Sequence, residues 1–578
     1  MFSRSRLDEA DLHKDLHTSA LFRPVAAAIV AVVAFAYVAM RVCHLETGPL
    51  ARLFCIALML SIALLSATAS GRVASGTFCA SLFAALVWRA SVLKLHYMHE
   101  PLMAPDLRYL AGTLAHDVMR HYPHVLGKNV AALAGGVALA VVLWRLESPG
   151  LWRRGHLRKR VFVSALATVP LLLCLWPRGP FHGIYSTPTW DFIAEGERNP
   201  LSTFVRSFRE MRIESPPRAA HANAGAWQGP ESVATPATKP DIVAVLEEST
   251  LDPRQWADCT VPRCTFPMFQ PDAATRAFGP LRVHTYGGAT WTSEFTFFAG
   301  LPQTVFGPAG IYAPYNLAPR MRYSLPRQLK ALGYRTVAVY PMPANFVDAA
   351  DAYRNYGFDE FHDSDELGLT WGSDDQVIFD HLRALFRRLR AETSQPLFFM
   401  VATMRQHGPH DEALDTLPPP WNEPPAPALG EPLNRNLGTY LYRLHRSDTA
   451  IADLRAFLFD SGRPALLVQF GDHHPSFDGL ETTLPSALPG ETKSDARVDT
   501  YYRIDTNFAA AQVRVDGVLD LAFLGGVVLE VAGLPADAYF QANERLREAC
   551  AGLFDRCRRE TRESYFAYVF DSLHAFDE

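Results

Sequence analysis

Four short stretches carry residues that could act together on a phosphate or sulfate ester. Tyr286-Gly287-Gly288-Ala289-Thr290-Trp291-Thr292-Ser293-Glu294-Phe295 sets small residues ahead of a hydroxyl, at a point where a helix can begin. Backbone N–H groups and the positive end of a helix dipole would gather there, facing an anion. A threonine at that spot becomes a nucleophile once a metal ion lowers the pKa of its hydroxyl. Glu247-Glu248-Ser249-Thr250, Arg405-Gln406-His407-Gly408-Pro409-His410 and Gly471-Asp472-His473-His474-Pro475 supply carboxylates and imidazoles. A Glu, an Asp, a His and a Thr oxygen form a mainly oxygen-donor set that suits Mn²⁺, Mg²⁺ or Zn²⁺. Each stretch alone has a plain structural explanation. Glycine-rich turns are mostly turns, Asp472-His473 can cap a helix, and Glu248 can begin a turn.

What gives them weight is the elements they follow. Short apolar runs predict strands at Ile242–Leu246, Thr336–Tyr340, Leu397–Thr403 and Ala465–Phe470. Helical patterns fall at Leu325–Leu332, Asp374–Ala391, Leu437–Asp460 and Ala538–Leu553, with Ser373 and Gln376 spaced as a capping box for the second. Near-continuous apolar strands alternating with helices predict an α/β domain with a largely parallel sheet covered on both faces. Ligands collect beyond the carboxyl ends of such strands. Glu248, His407 and the Asp472-His473 pair all stand directly after a predicted strand.

The first 177 positions are different in kind. Apolar runs occur at Val25–Met40, Phe54–Ser70, Val73–Val87, Val130–Trp144 and Val161–Trp176. Each approaches the roughly 17–25 residues that cross a bilayer, and five in succession predict a five-helix transmembrane domain rather than buried soluble helices. A cleaved signal peptide does not fit a first run followed by four more. Arg4, Arg6, Lys14 and Arg23 precede the first run, and Arg145, Arg153, Arg154, Arg158, Lys159 and Arg160 fill the fourth connection. By the positive-inside rule both face the cytoplasm, which sends everything after Trp176 to the far side. The third connection, carrying Arg89, Lys94, Arg108, Arg120 and Lys128, resists this scheme. An amphipathic stretch in it, from Asp106 to Met119, is expected to lie along the membrane surface. With a formal charge of only −5 the chain has no broad basic field, so no nucleic-acid partner is expected.

Three domains follow: 1–177 in the membrane, 178–240 as a juxtamembrane segment and flexible linker, and 241–578 as the exported catalytic domain. The linker contains an amphipathic piece at Pro200–Ile213 and an Ala/Pro/Gly/Thr-rich tether from Ser215 to Pro240. Cys259 with Cys264, and Cys550 with Cys557, are two local pairs in the exported part. They suggest short-range disulfides rather than zinc ligands, since no His accompanies them at ligand spacing.

At its motifs the chain resembles the lipoteichoic acid synthase and phosphoglycerol transferase branch of the alkaline phosphatase/sulfatase superfamily. The resemblance rests on Leu246-Glu247-Glu248-Ser249, Gly288-Ala289-Thr290 with Glu294-Phe295, and Gly471-Asp472-His473. It extends to Leu325-Pro326-Arg327-Gln328-Leu329-Lys330 running into Gly333-Tyr334, to Tyr356-Gly357-Phe358-Asp359-Glu360-Phe361, and to Trp371-Gly372 with Asp375. It implies Thr290 as nucleophile, and Glu248, Thr290, Asp472 and His473 as ligands of one divalent cation. Mn²⁺ is expected first, with Zn²⁺ or Mg²⁺ as alternatives. It also implies His407 as a contact for the substrate phosphate or leaving group. The family often places an aromatic-Asn-Arg motif where this chain reads Pro343-Ala344-Asn345-Phe346-Val347-Asp348-Ala349, and Arg405 is the expected substitute for the missing guanidinium. The implied activity is transfer of glycerophosphate from phosphatidylglycerol, through phospho-Thr290, to an extracytoplasmic glycan or polymer at the bacterial cytoplasmic (inner) membrane. Phosphoethanolamine transfer and metal-dependent phosphate or sulfate ester hydrolysis are the alternatives, and a non-catalytic membrane scaffold is disfavoured by the complete residue set.

Overall fold

A computed structural model describes residues 6–98, 101–107, 123–147, 157–186, 199–210, 213–220, 224–229, 238–256, 259–370, 372–475, 477 and 497–577. The chain divides into two compact units, Met1–Met211 and Arg212–Glu578.

The first unit is helical: α1 (Arg6–Leu45), α2 (Gly48–Ser70), α3 (Val73–Met98), α4 (Pro123–Leu146), α5 (Leu157–Leu175) and the short α6 (Pro200–Arg206). Four spans among the described residues, Arg23–Leu45, Gly48–Ser70, Val73–Leu95 and Gly127–Leu146, are long and apolar enough to cross a membrane. The fifth expected run lies in α5, whose first turn holds Arg158, Lys159 and Arg160 and so leaves a shorter apolar length. Val32, Met40, Leu166 and Leu172 are each about 60% exposed. Among the described residues, Val377 is the one exposed large hydrophobic that lies outside this unit. Apolar side chains concentrated this way need lipid rather than water around them.

Loops within this unit are held by buried carboxylates. Glu46 Oε1 accepts the N–H groups of Leu201 (2.8 Å) and Ser202 (3.2 Å) at the start of α6. All seven residues of α6, the start of the amphipathic piece at Pro200–Ile213, are buried. Of the stretch Asp106 to Met119, only Asp106 and Leu107 are described. Asp106 accepts Met103 N–H at 2.7 Å and pairs with Lys94 at 3.1 Å.

The second unit is built on an eight-stranded sheet of β1 (Asp241–Glu247), β2 (Thr275–Arg282), β3 (Arg335–Val339), β4 (Glu360–His362), β5 (Leu397–Ala402), β6 (Ala465–Gly471), β7 (Asp499–Thr506) and β8 (Leu519–Asp520), in the order β4-β3-β5-β1-β6-β7-β2-β8. The five strands from β4 to β6 are mutually parallel, while β7 runs antiparallel to both β6 and β2. The four predicted strands are β1, β3, β5 and β6. Sequence reading missed β2 because of its Gly279-Pro280 interruption, and β7 because it reads Asp-Thr-Tyr-Tyr-Arg-Ile-Asp-Thr. Charge pairs hold that part of the sheet: Arg503 Nε donates to both carboxylate oxygens of Asp505, at 2.9 and 2.8 Å.

Helices α7 (Thr290–Ala299), α8 (Leu325–Ala331), α9 (Ala349–Tyr356), α10 (Asp375–Glu392), α11 (Glu431–Phe459), α12 (Leu521–Val531) and α13 (Ala538–Ala549) surround the sheet. Register shows that both faces are covered. Phe399 stands beside Val243 and Phe470 beside Leu246, an odd separation along β1 that points them to opposite faces. Phe297 of α7 packs at 4.8 Å on Phe470, and Phe386 of α10 packs at 5.9 Å on Phe399. The expected capping box at Ser373 is not formed. Asp374 is the N-cap of α10, and the Ser373 hydroxyl instead accepts Thr370 N–H at 2.8 Å, closing the preceding turn. Both cysteine pairs are disulfides. The described part of the expected tether is pinned to the second unit. Trp227 is buried and its indole N–H reaches Ser564 at 3.0 Å, while Gly229 N–H reaches Gln541 at 3.1 Å.

Gly471 ends β6 immediately before Asp472. A Cβ there would lie 1.9 Å from the Thr250 carbonyl oxygen, a backbone atom that cannot step aside. Gly471→Ala should therefore cost at least the ~1–3 kcal/mol of an overpacked site. A lowered melting temperature of the full chain in detergent is the expected result, and an unchanged one would contradict the close approach.

Candidate active site

The carboxyl ends of β1, β5 and β6 lie at one edge of the sheet because the three strands are parallel. Glu248 leaves β1 there, with its N–H donated to Thr403 Oγ1, just past β5, at 3.1 Å. Asp472 and His473 leave β6 beside it, and a ligand atom from each of Glu248, Asp472 and His473 lies within 4.8 Å of the others. Thr290 comes from across the sheet edge as the first residue of α7. Its N-cap, Ala289, is in the left-handed conformation (φ 63°) and supplies no side-chain cap; its carbonyl takes Thr292 N–H at 2.8 Å, which leaves the N–H groups of Thr290 and Trp291 for another acceptor. Thr290 Oγ1 donates to Glu248 Oε2 at 2.9 Å and stands 3.4 Å from His473 Nε2. The structure thus brings together all four residues that sequence reading named for the metal.

The tautomer of His473 follows from its neighbour. Nδ1 lies 2.8 Å from the His474 carbonyl oxygen, which can only accept, so Nδ1 carries the proton. Nε2 is then the nitrogen open to a metal or a second proton, 3.2 Å from Asp472 Oδ2 and 3.4 Å from Glu248 Oε1. Carboxylate oxygens gathered this closely need positive charge among them. Asp472 Oδ2 is buried and takes no hydrogen bond, whereas Oδ1 accepts the N–H groups of Ser249 and His473, each at 2.7 Å. One orphaned carboxylate oxygen and one oriented imidazole fit a divalent cation held by Glu248, Asp472, His473 and the Thr290 oxygen.

The electrostatics agree. Burial drives the Asp472 carboxyl well above its ordinary range, and the Glu248 charge adds to the rise. Burial also raises Glu248, but His473, His407 and the hydroxyls of Ser249 and Thr290 outweigh it and leave that carboxyl lowered. The pair therefore holds a single negative charge on its own and needs a positive partner to hold two.

His407 is half-buried and donates from Nδ1 to the Gly408 carbonyl at 2.8 Å, and its charge acts on Glu248. Arg405 is not drawn into the cluster. Its N–H bonds Asp375 at 3.1 Å, and no hydrogen bond or ion pair joins its side chain to Glu248, Thr290, Asp472 or His473. The sequence missed the supporting hydroxyls. Ser249 Oγ donates to Glu248 Oε1 at 2.7 Å, and Ser293 Oγ fixes α7 to the Asp472 carbonyl at 2.7 Å. Spacing alone signals such residues poorly, since serine serves turns and helices everywhere.

Phe346, in the stretch where the family's arginine is absent, packs at 6.3 Å on Trp291, the residue after Thr290. The two residues that follow, Val347 (φ 44°) and Asp348 (φ 59°), hold left-handed backbone. Four residues beyond Thr290, Glu294 is fully buried with Oε1 unpartnered. Burial pushes its carboxyl up to about 8, against a hydrogen bond from Tyr353 and with help from Asp472 and Glu248.

Glu294 keeps its proton longer folded than unfolded. Its contribution to stability therefore falls as pH rises from about 4.5 through about 8. Glu294→Gln, neutral at every pH, should gain on the native chain in melting temperature from pH 5 to pH 8 when both are measured in chelator. Parallel curves would mean that the native carboxyl is not held neutral.

The chain is similar to several known proteins. The phosphoglycerol transferase GacH of Streptococcus pyogenes, solved with sn-glycerol-1-phosphate, is 17% identical with a TM-score of 0.46, over 63% of this chain and 96% of that one. An uncharacterized protein of Haemophilus influenzae is 33% identical over 350 residues, 58% of this chain and 62% of its own length. A Rhizobium meliloti protein named "Putative cyclic beta-1,2-glucan modification protein" is 23% identical over 316 residues, 51% of this chain and 46% of its own length. The match spans less than two thirds of either relative. The family model described as Sulfatase matches residues 240–519, the segment that contains β1 to β7 and all four clustered residues. Through that segment the chain is similar to proteins of the sulfatase family.

Proposed function

We propose that this protein is a membrane-bound phosphotransferase. It would move a glycerophosphate group from phosphatidylglycerol, through phospho-Thr290, to a hydroxyl of an extracytoplasmic glycan or polymer. The observation that carries the reading is the Thr290 hydroxyl, donated at 2.9 Å to a buried carboxylate at the start of a helix, with Asp472 and His473 beside it. Apolar helices in the same chain suit a lipid donor. With the fifth apolar run, in α5, taken as a crossing, the positive-inside rule favours the periplasmic side of the inner membrane for the catalytic domain. The name of the Rhizobium meliloti relative is in keeping with a glycan acceptor.

In the first half-reaction Thr290 Oγ1 bonds to the phosphorus of the lipid head group, and the bond from phosphorus to the diacylglycerol oxygen breaks. The threonine proton has an acceptor in Glu248 Oε2, and the departing alkoxide takes a proton from the side of His407. When bound, a divalent cation (Mn²⁺ first, Zn²⁺ or Mg²⁺ otherwise) lowers the pKa of the Thr290 hydroxyl and screens the phosphate charge. The free N–H groups at the start of α7 face the oxygens of the transferred group. In the second half-reaction an acceptor hydroxyl bonds to the same phosphorus and Thr290 leaves, restored as an alcohol. A second reading, transfer of phosphoethanolamine, is favoured by the 343–349 stretch, which carries Asp348 and no guanidinium. A carboxylate suits an ammonium head group better than a glycerol.

Incubating the full chain with phosphatidylglycerol vesicles and no acceptor should leave a glycerophosphate mass on the Thr290 peptide. A phosphoethanolamine mass, seen only with phosphatidylethanolamine vesicles, would select the second reading, and no adduct from either lipid would sink both. Thr290→Ala should abolish both the adduct and the transfer while the chain still binds metal. Chelation should remove activity, and the cation that restores it best identifies the metal; full activity in chelator would exclude metal dependence.

A further inference from the structure

One positively charged side chain beside the site has no part in the arrangement above. Tyr286 opens the turn that ends at Thr290, and its ring lies 6.4 Å from that of His474, next in the chain to His473. The Arg497 guanidinium carbon lies 4.3 Å from the centroid of the same Tyr286 ring. Its positive charge acts on His474, the buried imidazole whose Nε2 donates to the Asp499 carbonyl at 2.7 Å. Neighbouring arginines are already committed. Arg282 is paired with Asp499 within the sheet, and Arg443 holds Glu412 at 2.8 Å and the His407 carbonyl at 2.8 Å. Arg497 is half-buried, and its Nε is buried without a hydrogen-bond partner. No carboxylate among the described residues stands within ion-pair distance of it.

A guanidinium stays charged at any working pH, and one lying on an aromatic ring has its plane fixed and its donor fork set. Such a group is prepared for two parallel hydrogen bonds to the oxygens of a phosphate or carboxylate. We propose that Arg497, held by Tyr286, is an oxyanion-binding residue at the mouth of the Thr290 site. It does by a different route what the missing arginine of the 343–349 stretch would do. Two sources could bring the oxyanion: the phosphodiester of the donor lipid, or an acidic group on the acceptor. The assignment rests on the phosphotransfer reading for its purpose, but oxyanion binding can be measured without any transfer.

The first measurement is calorimetric titration of the full chain in detergent with inorganic phosphate. Arg497→Ala should bind about tenfold more weakly, the loss of about 1.4 kcal/mol expected for one charge-assisted pair. Arg497→Lys should fall between the two, because it keeps the charge but not the fork. Equal affinities in the native and Arg497→Ala chains, with unchanged melting temperatures, would overturn the proposal. The second measurement locates the source. If Arg497 holds the donor, Arg497→Ala raises the KM for phosphatidylglycerol in Thr290 loading about tenfold and leaves discharge of the adduct unchanged. If it holds the acceptor, loading is unchanged. The native chain then discharges faster to methyl glucuronide than to methyl glucoside, and Arg497→Ala erases that preference. Arg497→Ala matching the native chain in both halves would also overturn the assignment. A native chain that binds phosphate through Arg497 yet never loads Thr290 would refute the transfer reading and leave the oxyanion site standing.

Discussion

Two carboxylates and an imidazole packed into a dry sheet edge set the terms for the rest of this molecule. Glu248, Asp472 and His473 are each at most 4% exposed, and their ligand atoms converge within 4.8 Å. Like charges that close in a low-dielectric interior cannot both persist without a counter-ion, so the site is inherently short of positive charge. Everything around it preserves that shortage. Ser249, the backbone N–H groups and Thr290 satisfy some carboxylate oxygens, while Asp472 Oδ2 is left over and His473 Nε2 faces both carboxylates. A site designed only for stability would have filled those last positions with donors.

The same logic explains why α7 begins where it does. A side-chain cap on its first turn would consume the N–H groups that an incoming phosphate needs, and Ala289 offers none. Ala289 also adopts a left-handed conformation that alanine disfavours, so the turn is held from outside. Thr285 Oγ1 closes it onto the Gly288 carbonyl at 2.7 Å, and Ser293 ties the first turn of the helix to the backbone of Asp472. Thr290 is thus positioned by bonds on both sides of its own residue. The aromatic packing of Phe297 on Phe470 fixes the helix to the strand that delivers Asp472.

How much of this could be read beforehand depended on whether a feature was local. The central strands are legible because burial on both faces demands an unbroken apolar run, as Ile242–Leu246 and Leu397–Ala402 show. The meeting of Glu248, Asp472 and His473 was legible because they fall directly after such runs. Strand β7 was not, since its stability comes from Arg503, Asp505 and Thr275 meeting across the sheet, an agreement no single window contains. Trp227 was hidden for the same reason. Its segment reads as a loose linker, and only its burial against Tyr565 and its bond to Ser564 show that it is an anchor.

The departure from the family pattern at 343–349 is more than a lost arginine. Two consecutive non-glycine residues at positive φ, one of them β-branched, cost on the order of 1–3 kcal/mol each in an unconstrained chain. They persist because the segment is clamped at both ends. Ala344 N–H is held by Asp363 at 2.9 Å, Phe346 sits on Trp291, and the backbone then runs straight into α9. Strain of that size, one aromatic contact away from the residue after Thr290, shows that the contacts at the two ends of this segment, rather than its own backbone preference, set its path.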